Sequence, residues 1–266
     1  LVRADLKRFP NFVLLILNKN AMKNQPTKNT LEGKRVIILG GSSGLGLAAA
    51  KAAAADGAAV VIVSSNQARI DSALLELPGH SGYAVDLSQE ENIKNFFDQA
   101  GKFDHLVYTA GENISMSMLD DTDVEKGKDF FTIRFWGAFS ALKYGRQYIN
   151  EGGSVTLMSG NFGQRPAKGY SLGATVCGMM DAFTRAMAVE LAPLRVNNIA
   201  AGVIKTNLWN NISDEAREGY FKHLESTLLL KRVGEAEDIA RAFIYLMKQP
   251  YATGQSLVID GGAVLV

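Results

Sequence analysis

The stretch RVIILGGSSGLGLAAAKAAAADGAAVVIVSS (residues 35–65) decides how the rest of the chain is read. RVIIL (35–39) is a short apolar run rich in β-branched residues, the pattern of a buried strand. LGLAAAKAAAADG (45–57) is built from strong helix formers and ends on a glycine stop. AVVIV (59–63) is a second buried strand. Between the first strand and the helix lies GGSSGLG (40–46), where the chain has to reverse. Strand, glycine turn, helix and strand make a βαβ unit.

The turn has a chemical reading. Gly40 permits the tight exit from the strand, Gly44 lets backbone approach a pyrophosphate, and Gly46 lets the helix pack on the sheet. The helix start offers free N–H groups and the positive end of its dipole. Ser42 and Ser43 add hydroxyl donors. Any flexible turn has a similar composition, so the letters alone are weak; their place between strand and helix points to a dinucleotide. Gly40, Ser42, Ser43, Gly44, Leu45 and Gly46 are the candidate phosphate-loop residues. The end of the second strand, VVIVSSNQAR (60–69), selects the cofactor. An acidic residue there would hold the ribose 2′-OH of NAD and repel a 2′-phosphate. Ser64 stands in that place, with Ser65, Asn66 and Arg69 within reach of a phosphate, so NADP(H) is favoured over NAD(H). A polar turn and helix cap would use the same residue types.

Further along, apolar runs keep alternating with helical patterns. A helix starts at Gln67, YAVD (83–86) is a strand end, and Ser88 is read as the cap of a helix over SQEENIKNFFDQ. HLVYT (105–109) and SVTLM (154–158) are strands, with one long helix expected over about 123–148 between them. GYSLGATVCGMMDAFTRAMAVELAP (169–193) is a helix, RVNNIA (195–200) a strand, EAEDIARAFIYLMK (235–248) a helix and SLVID (256–260) the last strand. Near-continuous apolar strands separated by helices imply α/β architecture: a doubly wound parallel sheet covered on both faces, in one domain from residue 31 to 266.

Composition narrows the class. The chain has 266 residues, 47% of them hydrophobic, with 28 basic against 27 acidic side chains. That balance argues against a nucleic-acid or membrane partner. The single cysteine, Cys177, excludes an internal disulfide and suits a reducing, cytoplasmic compartment. His80, His105 and His223 lack metal-ligand spacing, and no metal site is expected. Residues 1–30 read as an N-terminal extension. Its apolar run FVLLIL (12–17) is too short to span a bilayer, which takes about 20 residues, and is expected to pack on a neighbouring surface such as a partner subunit.

GGSSGLG (40–46), VDL (85–87), YTAG (108–111), MAVELAP (187–193), RVNNIAAGVIKT (195–206), RVGEAEDIA (232–240) and TGQSLVIDGG (253–262) occur in an order and spacing that resemble the short-chain dehydrogenase/reductase (SDR) family, over essentially all of residues 31–266. The resemblance implies a Rossmann-type, seven-stranded parallel sheet, an NAD(P) cofactor, a small-molecule carbonyl or alcohol substrate, and a homodimer or homotetramer. It also implies that Asp86 and Leu87 flank the adenine, that Ala110 and Gly111 line the cofactor cleft, and that Val203 to Thr206 reach the nicotinamide. Tyr108 and Thr109 replace the family's usual asparagines, and Ala201 its usual proline.

The family's catalytic Asn, Ser, Tyr and Lys are not found at their positions. FTRAMAVELAP matches the family's usual LTRALAVELAP, and counting back at the family's spacing puts Gly173 at the tyrosine and Cys177 at the lysine. The preceding strand, LMSGNFG (157–163), puts Gly160 at the serine and agrees with that register; RFWG (134–137) puts Arg134 at the asparagine. Tyr170 is out of register, and one helical turn after it stands Ala174, not a lysine. The candidate catalytic residues are therefore Arg134, Ser159 and Tyr170, with Lys168 and Arg165 as cations able to lower a tyrosine pKa. Each has an ordinary reading too: Tyr170 as a surface helix start, Ser159 as a strand end. Arg134 lies in the apolar FFTIRFWGAF and needs a buried partner or a ligand. Cys177 is expected to pack rather than to act as nucleophile. NLWNNISDEAREGYFKHLESTLLL (207–230) falls where the family carries a lid, with Trp209, Tyr220 and Phe221 as apolar wall and His223 at the surface. Two functions fit: an oxidoreductase with a rearranged site, or a catalytically silent protein that senses NADP(H) or a ligand.

Overall fold

The computed structural model describes residues 30–113 and 116–266; the expectation for FVLLIL falls outside them. Alternation along the first strand sets the architecture. In β1 (Arg35–Leu39), Val36 and Ile38 join one core while Ile37 and Leu39 join the other. Both faces are thus buried, which is why the strand reads as an unbroken apolar run. On one face Val60 and Ile62 of β2 (Ala59–Ser64) meet Ala49 and Ala53 of α1 (Gly44–Ala55) and a distant helix carrying Ile239 and Phe243. On the other face Val61 and Val63 join Phe97, Leu106, Val155 and Phe183.

α2 (Gln67–Leu75) leads to the edge strand β3 (Ser81–Ala84), then α3 (Glu90–Ala100) and β4 (Phe103–Tyr108). α4 (Val124–Asp129), a π-helical segment (Thr132–Gly137) and α5 (Ala138–Gly145) lead into β5 (Ile149–Gly160). α6 (Ser171–Glu190) precedes β6 (Arg195–Ala201). β7 (Ile204–Lys205), α7 (Asp214–Thr227), β8 (Gly234–Glu235), α8 (Ala236–Lys248) and β9 (Ser256–Ile259) complete the chain. The main sheet has seven parallel strands in the order β3-β2-β1-β4-β5-β6-β9; β7 and β8 pair separately. The order reverses between β1 and β4, so a crevice opens at their carboxyl ends.

Three local expectations are corrected. Ser88 does not cap α3: its hydroxyl donates to Asp86 Oδ1 at 2.7 Å, and Gln89 occupies the cap position without a side-chain bond. β5 begins earlier than residue 154, at Ile149, with a register shift in its pairing to β4. The long helix expected over 123–148 is broken. Trp136 N–H reaches back to the Phe131 carbonyl (3.1 Å), a π-type bond that marks a widened turn, and the Ile133 carbonyl of that turn takes a partner from another element. The Tyr108 hydroxyl donates to it at 2.6 Å, and a side chain on Gly137 would strike that hydroxyl. The buried tyrosine hydroxyl thus finds its acceptor in the π segment.

Candidate active site

One cavity of about 330 Å3 occupies the crevice at the strand ends. Its first half is the glycine turn. Gly40 has φ +90°, and a Cβ there would lie 2.6 Å from Ala110 N; a Cβ on Gly46 would collide with the Gly40 carbonyl. Gly44 has φ +51° and faces Asn207. These conformations and approaches need glycine. The start of α1 opens into the cavity with no side-chain cap from Ser43 and no acidic residue in its first turn, so its N–H groups are left for a phosphate. Ser42, Ser43, Leu45 and Gly46 line the same wall. This cradle fits a dinucleotide.

Ser64, Ser65 and Arg69 also line the cavity, at the end of β2. Asn66 does not: its Oδ1 accepts the Arg69 N–H at 3.0 Å and caps α2, the ordinary reading of that residue. Asp86 and Leu87 line the next part, the Asp86 carboxylate held by the Ser88 N–H at 2.9 Å. Ala110, Gly111, Val203 and Thr206 close the cofactor half. Thr109 hydroxyl donates to the Leu39 and Gly40 carbonyls (3.2 Å each), tying β4 to the turn.

The second half holds all four positions that the family register assigns: Arg134, Gly160, Gly173 and Cys177 line it together with Ser159 and Tyr170. Arg134 projects from the π segment and lies against the Gly111 backbone, its Cζ 4.8 Å from the Phe130 ring centroid. Its Nη2 donates to the Glu112 carbonyl, and its Nε lies 3.9 Å from Glu112 Oε2. Both of those last atoms are buried and make no hydrogen bond. The sequence asked for a partner to Arg134; Glu112 is that partner, held loosely. Burial lowers the guanidinium pKa, with Glu112 and Cys177 opposing, and burial raises the Glu112 carboxyl against the pull of Arg134.

Ser159 donates to the Cys177 carbonyl at 3.1 Å. Burial raises the Cys177 thiol, so it stays protonated at neutral pH; the nearby Arg134 charge only moderates this. Tyr170 is not on the surface. It is 8% exposed and stacks on Phe162 with centroids 4.4 Å apart. Burial raises its pKa, and the neighbouring Tyr220 hydroxyl opposes that. Arg165 and Lys168 are exposed and do not act on it. Glu112 and Phe162 escaped the sequence reading; their only signal was proximity to Gly111 and to Ser159. Among the described residues no cluster of His, Cys, Asp and Glu has the makings of a metal site, and no helix is long and apolar enough to cross a membrane.

With this fold and this cleft, the chain is defined as a Rossmann-type dinucleotide-cleft protein, and comparison with known proteins narrows the class. A family model described as enoyl-(acyl carrier protein) reductase matches residues 40–264. The short-chain dehydrogenase/reductase ATR9 of Stachybotrys chlorohalonatus is 36% identical over 89% of this chain and 99% of its own. A crystal structure of a small-chain dehydrogenase in complex with NADPH is 33% identical, with TM-score 0.78 over 88% of this chain and 99% of that one. The MalC reductase/Diels-Alderase of Malbranchea aurantiaca is 30% identical, with TM-score 0.83 over 89% of this chain and 98% of that one. The chain belongs to the short-chain dehydrogenase/reductase family.

Proposed function

We propose that residues 31–266 form the catalytic domain of an NADP(H)-dependent oxidoreductase that acts on a carbonyl or alcohol small molecule with a non-standard active site. The observation that carries this reading is that a dinucleotide cradle and Arg134 share one cavity with Gly160 and Gly173, where the family's hydroxyls are absent. A relative of the same fold holds NADPH, and Ser64, Ser65 and Arg69 offer a 2′-phosphate donors without a carboxylate to repel it. Bound NADP(H) supplies the hydride. The chain's own part is charge. Arg134 is a permanent cation in a partly desolvated site, so it stabilises negative charge developing on a substrate oxygen; it does not donate a proton. Ser159 is the hydroxyl next to the vacant serine position; turned from the Cys177 carbonyl it would hydrogen-bond the substrate oxygen, and the proton that completes the alcohol (or leaves it in the reverse direction) is exchanged with solvent water. Tyr170 belongs to the wall of the site, because its pKa is raised by burial and no cation lowers it. The lone thiol suits a reducing, cytoplasmic setting, and the assembly we propose is a homodimer or homotetramer.

Calorimetric titration with NADPH and with NADH tests the cofactor reading: micromolar NADPH with much weaker NADH is expected. With a carbonyl substrate in hand, Arg134→Ala lowers turnover at least about tenfold while NADPH affinity stays within about twofold. Loss of hydroxyls at Gly160 and Gly173 also favours a second reading, a silent NADP(H) sensor. Tight NADPH binding without turnover across a broad carbonyl panel would select it.

A further inference from the structure

The substrate end of the cavity is lined by groups that recognise rings. Phe162 and Tyr170 line it as one flat slab: their rings stack with centroids 4.4 Å apart and 23° between planes. The slab stands beside the family's catalytic register, since a Cβ on Gly173 would lie 4.0 Å from Tyr170 Cδ1. Trp209 lines the same cavity. It is 3% exposed, and its indole N–H donates to the Ile204 carbonyl at 3.0 Å, so its one polar atom is already used. What it offers a ligand is ring. Met158 and Met180 line the cavity as well, and thioether sulfur makes favourable contacts with aromatic rings. Arg134 completes the set. Its guanidinium Cζ already lies 4.8 Å from the Phe130 ring centroid, and this planar cation stacks on aromatic rings as readily as it hydrogen-bonds a carbonyl oxygen. A polyhydroxylated substrate is poorly served by rings and thioethers, because its hydroxyls would lose water without gaining partners. A saturated ring or chain fits by bulk alone and forgoes the ring-specific part of each contact.

We propose that the substrate end takes a planar aryl carbonyl compound, its ring on the Phe162–Tyr170 slab and its oxygen towards Arg134, and that Phe162 is a specificity-determining residue. This deepens, and rests on, the reading above that this end of the cavity takes a carbonyl substrate. A carbonyl conjugated to an aromatic ring keeps its oxygen in the ring plane. One flat molecule therefore presents a face to the slab and an oxygen edge to the guanidinium. Phe162 is the member of the slab to change. It sits in the short turn Asn161–Gly163 and is only half-buried, so its replacement does not open the core.

Calorimetry of the whole protein with 1-tetralone and with trans-1-decalone tests the ring preference. Both are fused-ring ketones of nearly equal size, and only the first is aromatic. The titrations are made on the free protein and again with NADP+ present, where no hydride is available for turnover. In both series 1-tetralone binds at least about tenfold more tightly, the gain from one or two ring contacts. Phe162→Leu keeps apolar bulk and removes the ring. It weakens 1-tetralone about fivefold and leaves trans-1-decalone within about twofold, which reports an intact cavity; Phe162→Tyr restores the wild-type ratio. Equal affinity for the two ketones, no binding of 1-tetralone, or an equal loss of both in Phe162→Leu would overturn the proposal. A wild type that shows the ring preference but binds neither NADPH nor NADH overturns the cofactor reading and leaves the substrate class standing. NADPH binding without the ring preference does the reverse.

Discussion

At the scale of single residues, two glycines of the same cavity predict opposite responses to one methyl group. A Cβ on Gly46 would run into the Gly40 carbonyl and Thr109, both held by the turn, whereas a Cβ on Gly173 meets only Tyr170 Cδ1, at 4.0 Å. Gly46→Ala is expected to cost about 1–3 kcal/mol from overpacking and to abolish NADPH binding by calorimetry. Gly173→Ala lies in the first turn of α6 and gains about 0.4–1 kcal/mol, raising Tm by about 1–4 °C with NADPH affinity kept. A buried histidine gives a pH signature. His105 is held near pKa 4, below its ordinary 6.5, first by burial and then by the Arg195 and Lys34 charges, with Asp104 opposing. The unfolded chain takes up that proton at higher pH, so stability is lost as pH falls from about 6.5 to about 4, on the order of 3 kcal/mol in all. Urea unfolding of His105→Gln at pH 7 and pH 4 should show a smaller drop than the wild type. Residues that line the cavity were legible where a spacing placed them: Gly40, Gly44 and Gly46 by the turn, and Arg134, Gly160, Gly173 and Cys177 by the family's register. Glu112 was not, because its meeting with Arg134 spans 22 positions and a change of direction that no local pattern records. Asn66 was read as a phosphate contact because a cap and a ligand ask for the same amide.

Elements were legible in proportion to how far their own residues determine them. β1 and β2 are buried on both faces, and their apolar runs announce it; β4 and β6 are as deeply buried although Asp104, His105, Arg195, Asn197 and Asn198 interrupt their runs. The stretch of about 123–148 reads as one helix from its own composition; the π segment inside it meets Tyr108, a residue of another element whose hydroxyl donates to the Ile133 carbonyl, and no local pattern records that meeting. The same kind of long-range satisfaction ends α8. Arg195, on β6 and 9% exposed, donates Nη1 to the Leu246 carbonyl (2.7 Å) and Nη2 to the Met247 carbonyl (2.8 Å). These carbonyls lie in the last turn, where no backbone partner follows. Arg195→Met leaves both buried acceptors unpaired and is expected to cost about 2–3 kcal/mol in urea unfolding. Arg195→Lys should recover less than half of that, since a single ammonium does not reproduce a planar fork across two carbonyls.

At the scale of the whole molecule, the unexplained feature is an aromatic surface. Trp136 is 59% exposed and Phe139 38% exposed, on the π segment and α5, and they are backed by Phe183 of α6, whose ring stacks on Phe139 at 5.8 Å. Beside them α6 presents Gly178, Ala182, Ala186 and Val189 to solvent, one helical face of small side chains. A contiguous apolar face of this kind marks an interaction site, and small residues let a second helix approach closely. A homodimer buries such a face against the same face of a second copy about a two-fold axis, the arrangement predicted for this chain. The surface also has consequences for catalysis, because the π segment that carries Trp136 carries Arg134 on the cavity side. Burying Trp136 in a dimer would fix the backbone that aims the guanidinium. Sedimentation velocity at micromolar concentration should therefore give a dimer or tetramer for the wild type. Ala182→Glu, which sets like charges against each other across the axis, should shift the protein to monomer by at least about a hundredfold in Kd. The monomeric variant should bind NADPH as the wild type does, since the phosphate turn lies on the other side of the cavity, and should lose turnover through Arg134. A wild type that sediments as a monomer, or an Ala182→Glu variant that stays assembled, would remove this face from the interface.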